Sequence, residues 1–282
     1  MIHRAHPEIT TELVAISTRG DRHVGPLAEI GGKGLFTQEL EEALRQGQVD
    51  LAVHSAKDLP AEMEGEFAIA AVPPREDPRD VLVSRCGGLD DLAKGATIGT
   101  GSLRRRAQML LVKKYIRVIS IRGNVETRLK KAVGDTPEMD AVVLAMAGLN
   151  RGGLTELYGQ YLHPLAPEQI IPAAGQGLLA IQVMAGRADV MQVVSSIEDA
   201  DSRAALEAER SVLRGLGAGC QSCLAIHVSR VGRQWTGLAM VARPDGRDMI
   251  RLSCEAASAA NAGQKLLCML IKGGADRLLA QP

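Results

Sequence analysis

The sequence predicts an α/β protein of two lobes followed by a smaller α+β unit, and three observations carry that expectation. Short apolar runs alternate with amphipathic stretches twice, over residues 12 to 72 and again over 80 to 145, as βαβ units with largely parallel sheets do. Pro73 and Pro74, followed by REDPRD, break the alternation where a chain would cross between lobes. The chain after residue 198 reads differently, with a long helix, strands about a Pro244, Asp245, Gly246 turn and a closing helix, which suits an antiparallel sheet.

Each element has a local signal. ELVAIS (12 to 17), LAVHS (51 to 55) and FAIAAV (67 to 72) are the short apolar runs of the first unit. TQELEEALRQG (37 to 47) is amphipathic, with Thr37 suited to cap its start and Gly47 to stop it. In the second unit DVLVS, ATIGT, RVISI and DAVVLA are strand-like, and helices are expected from Ser102 to about Lys114 and from Asn124 to Ala132. IIPAAGQGLLAIQV (170 to 183) gives a glycine-broken turn and a strand. SRAALEAERSVLRGLG is a long helix, QWTGLAMVA and DMIRLSCEA are strands, and residues 259 to 272 form the last helix.

Composition narrows the function classes. The start lacks an apolar signal core and no run of 18 apolar residues follows, so a cytosolic protein that neither enters nor crosses a membrane is expected. Five cysteines, an odd number at irregular spacing, are expected to be mostly reduced thiols. Thirty-three basic residues balance 33 acidic ones and aromatics make up 2%, which disfavours a nucleic-acid surface built on net charge and base stacking.

Within that neutral total, Gly101 to Lys131 holds six arginines and four lysines against Glu126 alone. GTGSLRRR turns from a strand into a helix that Ser102 caps, and its first turn carries Arg104, Arg105 and Arg106. Cations there oppose the positive end of the helix, so an anion is expected to compensate. The pattern recurs at Arg122, Gly123, Asn124 and Arg128. Both turns fall at carboxyl ends of strands, where open α/β sheets bind ligands, and guanidiniums grip carboxylates bidentately. The competing reading is a solvated basic face.

Other segments stay open on their residues alone. Asp58 beside Lys57 in HSAKDLP is either half of a catalytic pair or a turn residue before Pro60, and its spacing favours the turn. GGKGLF (31 to 36) is an anion-wrapping loop or a plain one, without a Walker pattern. Cys220 and Cys223 form a CxxC with no second half of a zinc set, so no metal is expected.

Taken together, GGKGLF, LAVHSAKDLP, REDPRD, GTGSLRR, IRGNVETRL, the AGL of AMAGLNR, PAAGQG and AGCQ stand in the order and approximate spacing of the porphobilinogen deaminase (hydroxymethylbilane synthase) family, which the chain resembles from about Thr18 onward. The resemblance implies two lobes like the type II periplasmic-binding-protein fold and a C-terminal α+β domain. It divides the chain into 1–73 with 173–197, then 78–170, then 198–282. It implies a transferase that joins four porphobilinogen molecules head to tail into hydroxymethylbilane, releasing ammonia, in tetrapyrrole biosynthesis, and acts as a monomer. By the same resemblance a dipyrromethane cofactor hangs by a thioether from Cys220. Arg104, Arg105, Arg122, Arg128 and Arg151, with Lys57 and Ser102, bind the cofactor and substrate carboxylates. Asp58 becomes the catalytic carboxylate, stabilising the azafulvene cation left by ammonia loss and exchanging protons with pyrrole nitrogens.

Four departures qualify the resemblance. The family's opening strand and TRxSxLAxxQ helix are not present before Met1, which predicts a less stable first lobe. Cys223 replaces a usual Pro and admits a disulfide with Cys220, while Gln182 replaces Glu and Gly152 replaces Leu. The alternative expectation is therefore a degenerate member that binds pyrrole carboxylates or another small polyanion without turnover.

Overall fold

A computed structural model of the chain describes residues 1–22, 34–219 and 222–279. Three sheets organise them. The first joins β1 (Ala52–Ser55) and β2 (Phe67–Ala71) through β8 (Leu179–Met184), which lies between them and antiparallel to both. The expected local parallel pairing is corrected here. β1 and β2 point the same way but do not touch, because local periodicity fixes which face a residue takes and not which distant strand pairs with it. Helix α1 (Gln38–Arg45) covers one face, burying Leu44 with Ala52 and Phe67. Gly47 ends it in the left-handed region, as expected, whereas Thr37 occupies the cap position without a side-chain cap bond.

The run 12–17 is a second correction. It has no regular structure, and Leu13 is 95% exposed. An extended segment becomes a strand only with a hydrogen-bonding neighbour, and none of the described strands pairs with it.

The second sheet runs β5-β4-β6-β3-β7, from β3 (Asp80–Ser84), β4 (Thr97–Gly99), β5 (Arg117–Ile119), β6 (Ala141–Ala145) and β7 (Leu162–Leu165). β4 is parallel to β5 and β6, while β3 is antiparallel to β6 and β7. The reversed β3 brings its first residue, Asp80, opposite Ala145, so a strand beginning meets the carboxyl ends of its neighbours. Helices α2 (Leu103–Val112), α3 (Val125–Val133) and α4 (Met146–Arg151) leave those same ends. Ser102 Oγ accepts from Arg105 N (3.4 Å) and Asn124 Oδ1 from Thr127 N (2.8 Å), which caps both helices as their sequences predict.

After α5 (Ala188–Val194) and α6 (Ala200–Gly215), the third sheet is an antiparallel meander of β9 (Leu224–Val231), β10 (Gln234–Ala242) and β11 (Met249–Ala256), followed by α7 (Ala259–Lys272). α6 and α7 bury one face with Val212, Ile226, Val241, Leu266 and Leu270. The other face meets the second lobe where Ala107 and Ile171 pack on Cys223, Ala225 and Met240. Among the described residues Cys223 is a free, buried thiol whose Sγ lies 3.4 Å from Leu103 O, and Cys220, its partner in the CxxC, lies outside the described residues. Burial raises that thiol to about 11, which keeps it protonated and inert at neutral pH.

Two crossings join the lobes and run side by side. Glu76 N donates to Gly177 O (3.0 Å), Arg75 Nε to Gln176 O (2.9 Å) and Gln176 Nε2 to Pro78 O (2.7 Å). Gly177 has φ +85°, and a Cβ there would stand 2.3 Å from Glu76 O, so only glycine permits the approach. Arg75 then reaches Glu209 of α6 at 2.8 Å, and Glu209 also accepts from Gly175 N and Val228 N. One buried carboxylate thus ties both crossings to the C-terminal domain.

Candidate active site

The site is built at the carboxyl ends of the second sheet, facing the turn that follows β1. Its floor is Asp80, which is wholly buried. Arg104 Nη1 donates to one of its oxygens (2.7 Å), and Arg105 Nε (3.0 Å), Arg105 Nη2 (2.8 Å) and Gln176 Nε2 (2.8 Å) donate to the other. Arg104 also reaches Ile171 O, and Arg105 reaches Val143 O (2.9 Å). Burial alone would raise the Asp80 carboxyl, but the two guanidiniums outweigh it and hold it far below the usual carboxylate range.

This arrangement changes the reading of the arginine segment. The helix that begins with cations does require an anion, and the chain supplies it from its own β3. Arg104 and Arg105, expected to grip a ligand, are 4% and 6% exposed and are committed to Asp80. Arg106 donates to Val118 O (2.9 Å) and belongs to the lobe's own framework. Ser102, also expected at the ligand, accepts the cap bond of α2 with its Oγ.

Lys57, Asp58 and Arg128 belong to the same neighbourhood. Ala56–Asp58 form one turn of 3-10 helix directly after β1, held by Ala56 N donating to Leu178 O (3.0 Å). Gly175, at φ +74°, lies so close that a Cβ would come within 2.9 Å of Lys57 N, which packs the return crossing onto this turn. Lys57 and Asp58 are half-buried. Burial pushes the Lys57 ammonium down, Asp58 works in the opposite direction, and Arg105 adds to the push. Arg128 is driven down to about 10 by burial and by Arg105 and Arg122, and is drawn upward by Asp58. It remains a cation at neutral pH. These mutual effects bring Lys57, Asp58, Arg105, Arg122 and Arg128, from four separate segments, into one electrostatic neighbourhood.

The second turn differs from the first in what its arginines hold. Arg128 Nε donates to Asn124 O of its own helix (3.3 Å), and Arg122 Nε is buried without a hydrogen-bond partner among the described residues. Arg151 lies apart at the end of α4, where Nη2 donates to Gly177 O (2.7 Å) and Glu76 is its charged neighbour. Cys220 lies outside the described residues, as does Lys33. The described Cys223 packs on Leu103, the first residue of α2.

Sequence reasoning missed Asp80 and Gln176 as parts of this centre, although both lie within quoted motifs. The signal was the requirement for an anion at α2, which could have been searched for inside the chain.

Comparison with known proteins gives the chain's family. Residues 1–192 match the family described as "Porphobilinogen deaminase, dipyromethane cofactor binding domain". The chain is 43% identical over 279 residues to the porphobilinogen deaminase of Syntrophotalea carbinolica, covering 98% of this chain and 87% of that one. It is also 43% identical over 280 residues to the porphobilinogen deaminase of Chromobacterium violaceum, covering 98% and 89%. A solved ABC transporter / periplasmic binding protein from Brucella ovis overlaps 63% of this chain and 53% of its own at 15% identity, with a TM-score of 0.35. The chain belongs to the porphobilinogen deaminase family of enzymes, whose cofactor is dipyrromethane.

Proposed function

We propose that this enzyme condenses four porphobilinogen molecules head to tail into hydroxymethylbilane with release of ammonia, on a dipyrromethane attached through Cys220. One observation carries the reading. The Asp58 carboxylate, directly after β1, lies within electrostatic reach of Lys57 and Arg128, and Arg128 in turn within reach of Arg105 and Arg122 at the carboxyl ends of the parallel β4 and β5. The donor set fits the cofactor, because pyrroles bearing acetate and propionate side chains need several cations, and Arg122 and Arg128 do not share the buried Asp80 that holds Arg104 and Arg105. Bound through Cys220, dipyrromethane supplies the tethered pyrrole end to which units are added.

The chain's own groups divide the work. Arg122, Arg128 and Lys57 bind carboxylates directly, and Arg151 extends that surface toward the crossing. Arg104 and Arg105, fixed on Asp80, set the positive potential of the floor, while Ser102 holds the start of α2. Asp58 sits where positive charge develops as ammonia leaves porphobilinogen. Its carboxylate stabilises that charge and exchanges a proton with the pyrrole nitrogen. The working units are 1–73 with 173–197, 78–170 and 198–282, and the paired crossings supply the joint between the first two. Among the described residues, no helix is long and apolar enough to cross a membrane.

The test is to incubate the protein with porphobilinogen and follow hydroxymethylbilane formation, with peptide mass spectrometry for a dipyrromethane adduct on Cys220. Turnover together with the adduct is expected. An unmodified Cys220 in protein made by cells that synthesise tetrapyrroles would sink the reading.

A further inference from the structure

The motif that supplies Asp58 holds a second functional group four residues earlier, and the reaction as described leaves it unused. His54 is 4% exposed on the face of the first sheet that α1 covers. β1 pairs with β8 so that Ala52 faces Gln182 and His54 faces Ala180, which makes His54 and Gln182 diagonal neighbours on one face. His54 Nε2 lies 2.8 Å from Gln182 Oε1, and Gln182 Nε2 donates to Glu41 Oε1 of α1 at 3.0 Å. Gln182 is wholly buried.

Hydrogen-bond chemistry fixes the direction of this chain. An ionised Glu41 only accepts, so Gln182 must turn its NH2 toward α1 and its carbonyl toward His54. His54 must then carry its proton on Nε2. We propose that the Glu41–Gln182–His54 chain makes His54 a positioning residue for Asp58, fixing the imidazole as its Nε2–H tautomer beside the catalytic turn, and that the amide at 182 keeps it uncharged. The inference rests on reading Asp58 as the proton-transferring group.

The geometry gives the chain two effects. His54 is tethered to β8 through its side chain, and two residues on Ala56 N is tethered to Leu178 O (3.0 Å), so the segment leading into Lys57 and Asp58 is fixed to the β8 segment at two points. The charged groups that face His54 are Glu41 from α1 and Asp58 from the following turn, with Gln182 from β8 as the neutral contact. Burial is the largest influence and holds the imidazole below its ordinary value, although both carboxylates pull upward. A Glu at 182 would add a third carboxylate in direct contact and draw a proton onto His54. An imidazolium beside Asp58 would stabilise the ionised carboxylate and make it a poorer proton acceptor.

The test uses the cofactor-loaded enzyme, with the His54 ring read by nitrogen-15 NMR between about pH 6 and 8 and steady-state rates measured over the same range. The wild type should show a neutral Nε2–H ring throughout. Gln182→Glu should raise the His54 titration by about one unit or more and move the acid limb of kcat about half a unit to lower pH, with KM within about twofold. A cationic or Nδ1–H ring in the wild type at pH 7, or a shifted His54 titration with an unmoved acid limb, overturns the inference. Should Gln182→Glu not fold, His54→Gln, which keeps an amide donor, is expected to retain kcat within about threefold, while His54→Leu loses about tenfold. Equal losses in those two variants overturn it as well. Failure of the Asp58 reading shows separately, as full turnover by Asp58→Asn.

Discussion

After β4 the chain turns through Gly101, caps with Ser102 and sets Arg104 and Arg105 in the first turn of α2. After β5 it turns through Gly123, caps with Asn124 and sets Arg128 one turn into α3. Both turns set a glycine, a cap and then arginine, yet the arginines end in different states. The first pair is buried on Asp80, while Arg122 and Arg128 are half-buried, Arg128 Nε donating to Asn124 O and Arg122 Nε finding no hydrogen-bond partner among the described residues. The difference comes from β3. Because that strand runs against its neighbours, it delivers its first carboxylate to the start of α2 and to no other helix. The same Gly-cap-Arg pattern therefore builds framework where a strand brings an anion, and leaves the arginines proposed to bind the ligand where β3 brings none.

The strongest way to break the comparison is to remove the anion. Asp80→Asn leaves two buried guanidiniums uncompensated and should cost about 3–5 kcal/mol, read as a lower denaturant midpoint. Catalysis should be lost with it, because the α2 turn would no longer hold Arg105 beside Lys57. Acid offers the same test by degrees. The Asp80 carboxyl is held far below its ordinary value of 3.8, so its contribution is complete above that value and is lost progressively as pH falls from it toward the lower folded value. The stability gap between the wild type and Asp80→Asn should accordingly shrink below about pH 4, and a gap independent of pH would show that the pair is not what Asn disrupts.

A smaller effect sharpens the comparison on the arginine side. Arg105→Gln should destabilise by about 3 kcal/mol. Arg128→Gln removes a cation that its neighbours repel, and should leave stability within about 0.5 kcal/mol while raising the KM for porphobilinogen about tenfold or more. Thermal melting beside steady-state kinetics separates the two. If Arg128→Gln melts as early as Arg105→Gln with KM unchanged, Arg128 belongs to the framework.

The same contrast explains what could be read from the sequence. Helices α2, α3 and α7 were legible because their caps and periodicity are local, down to Ser102, Asn124 and the 259–272 span. The insertion of β8 between β1 and β2 was not, nor was the His54–Gln182 contact, whose partners lie 128 residues apart. The cations of the site were visible as a charge run. Their division into framework and ligand-facing arginines was not, since it depends on the direction of one strand. Asp58 was weak on its own spacing and gained its role through the family resemblance, and the structure adds the company of Lys57 and Arg128.

The two caps give the finest test of the comparison. Asn124 accepts at 2.8 Å and Ser102 at 3.4 Å, near the limit of a useful bond. Cap removal typically costs about 1 kcal/mol, so Asn124→Ala should cost about that much and Ser102→Ala about half of it, measured from denaturant midpoints. The Ser102 hydroxyl only accepts in the cap, so its O–H can donate to a substrate carboxylate, as the family resemblance implies. Ser102→Ala should then raise KM severalfold at little cost in stability, and Asn124→Ala should do the reverse. If Ser102→Ala instead costs as much stability as Asn124→Ala and leaves KM unmoved, the hydroxyl is a cap alone, and the β4 turn meets the ligand only through the field of its buried arginines.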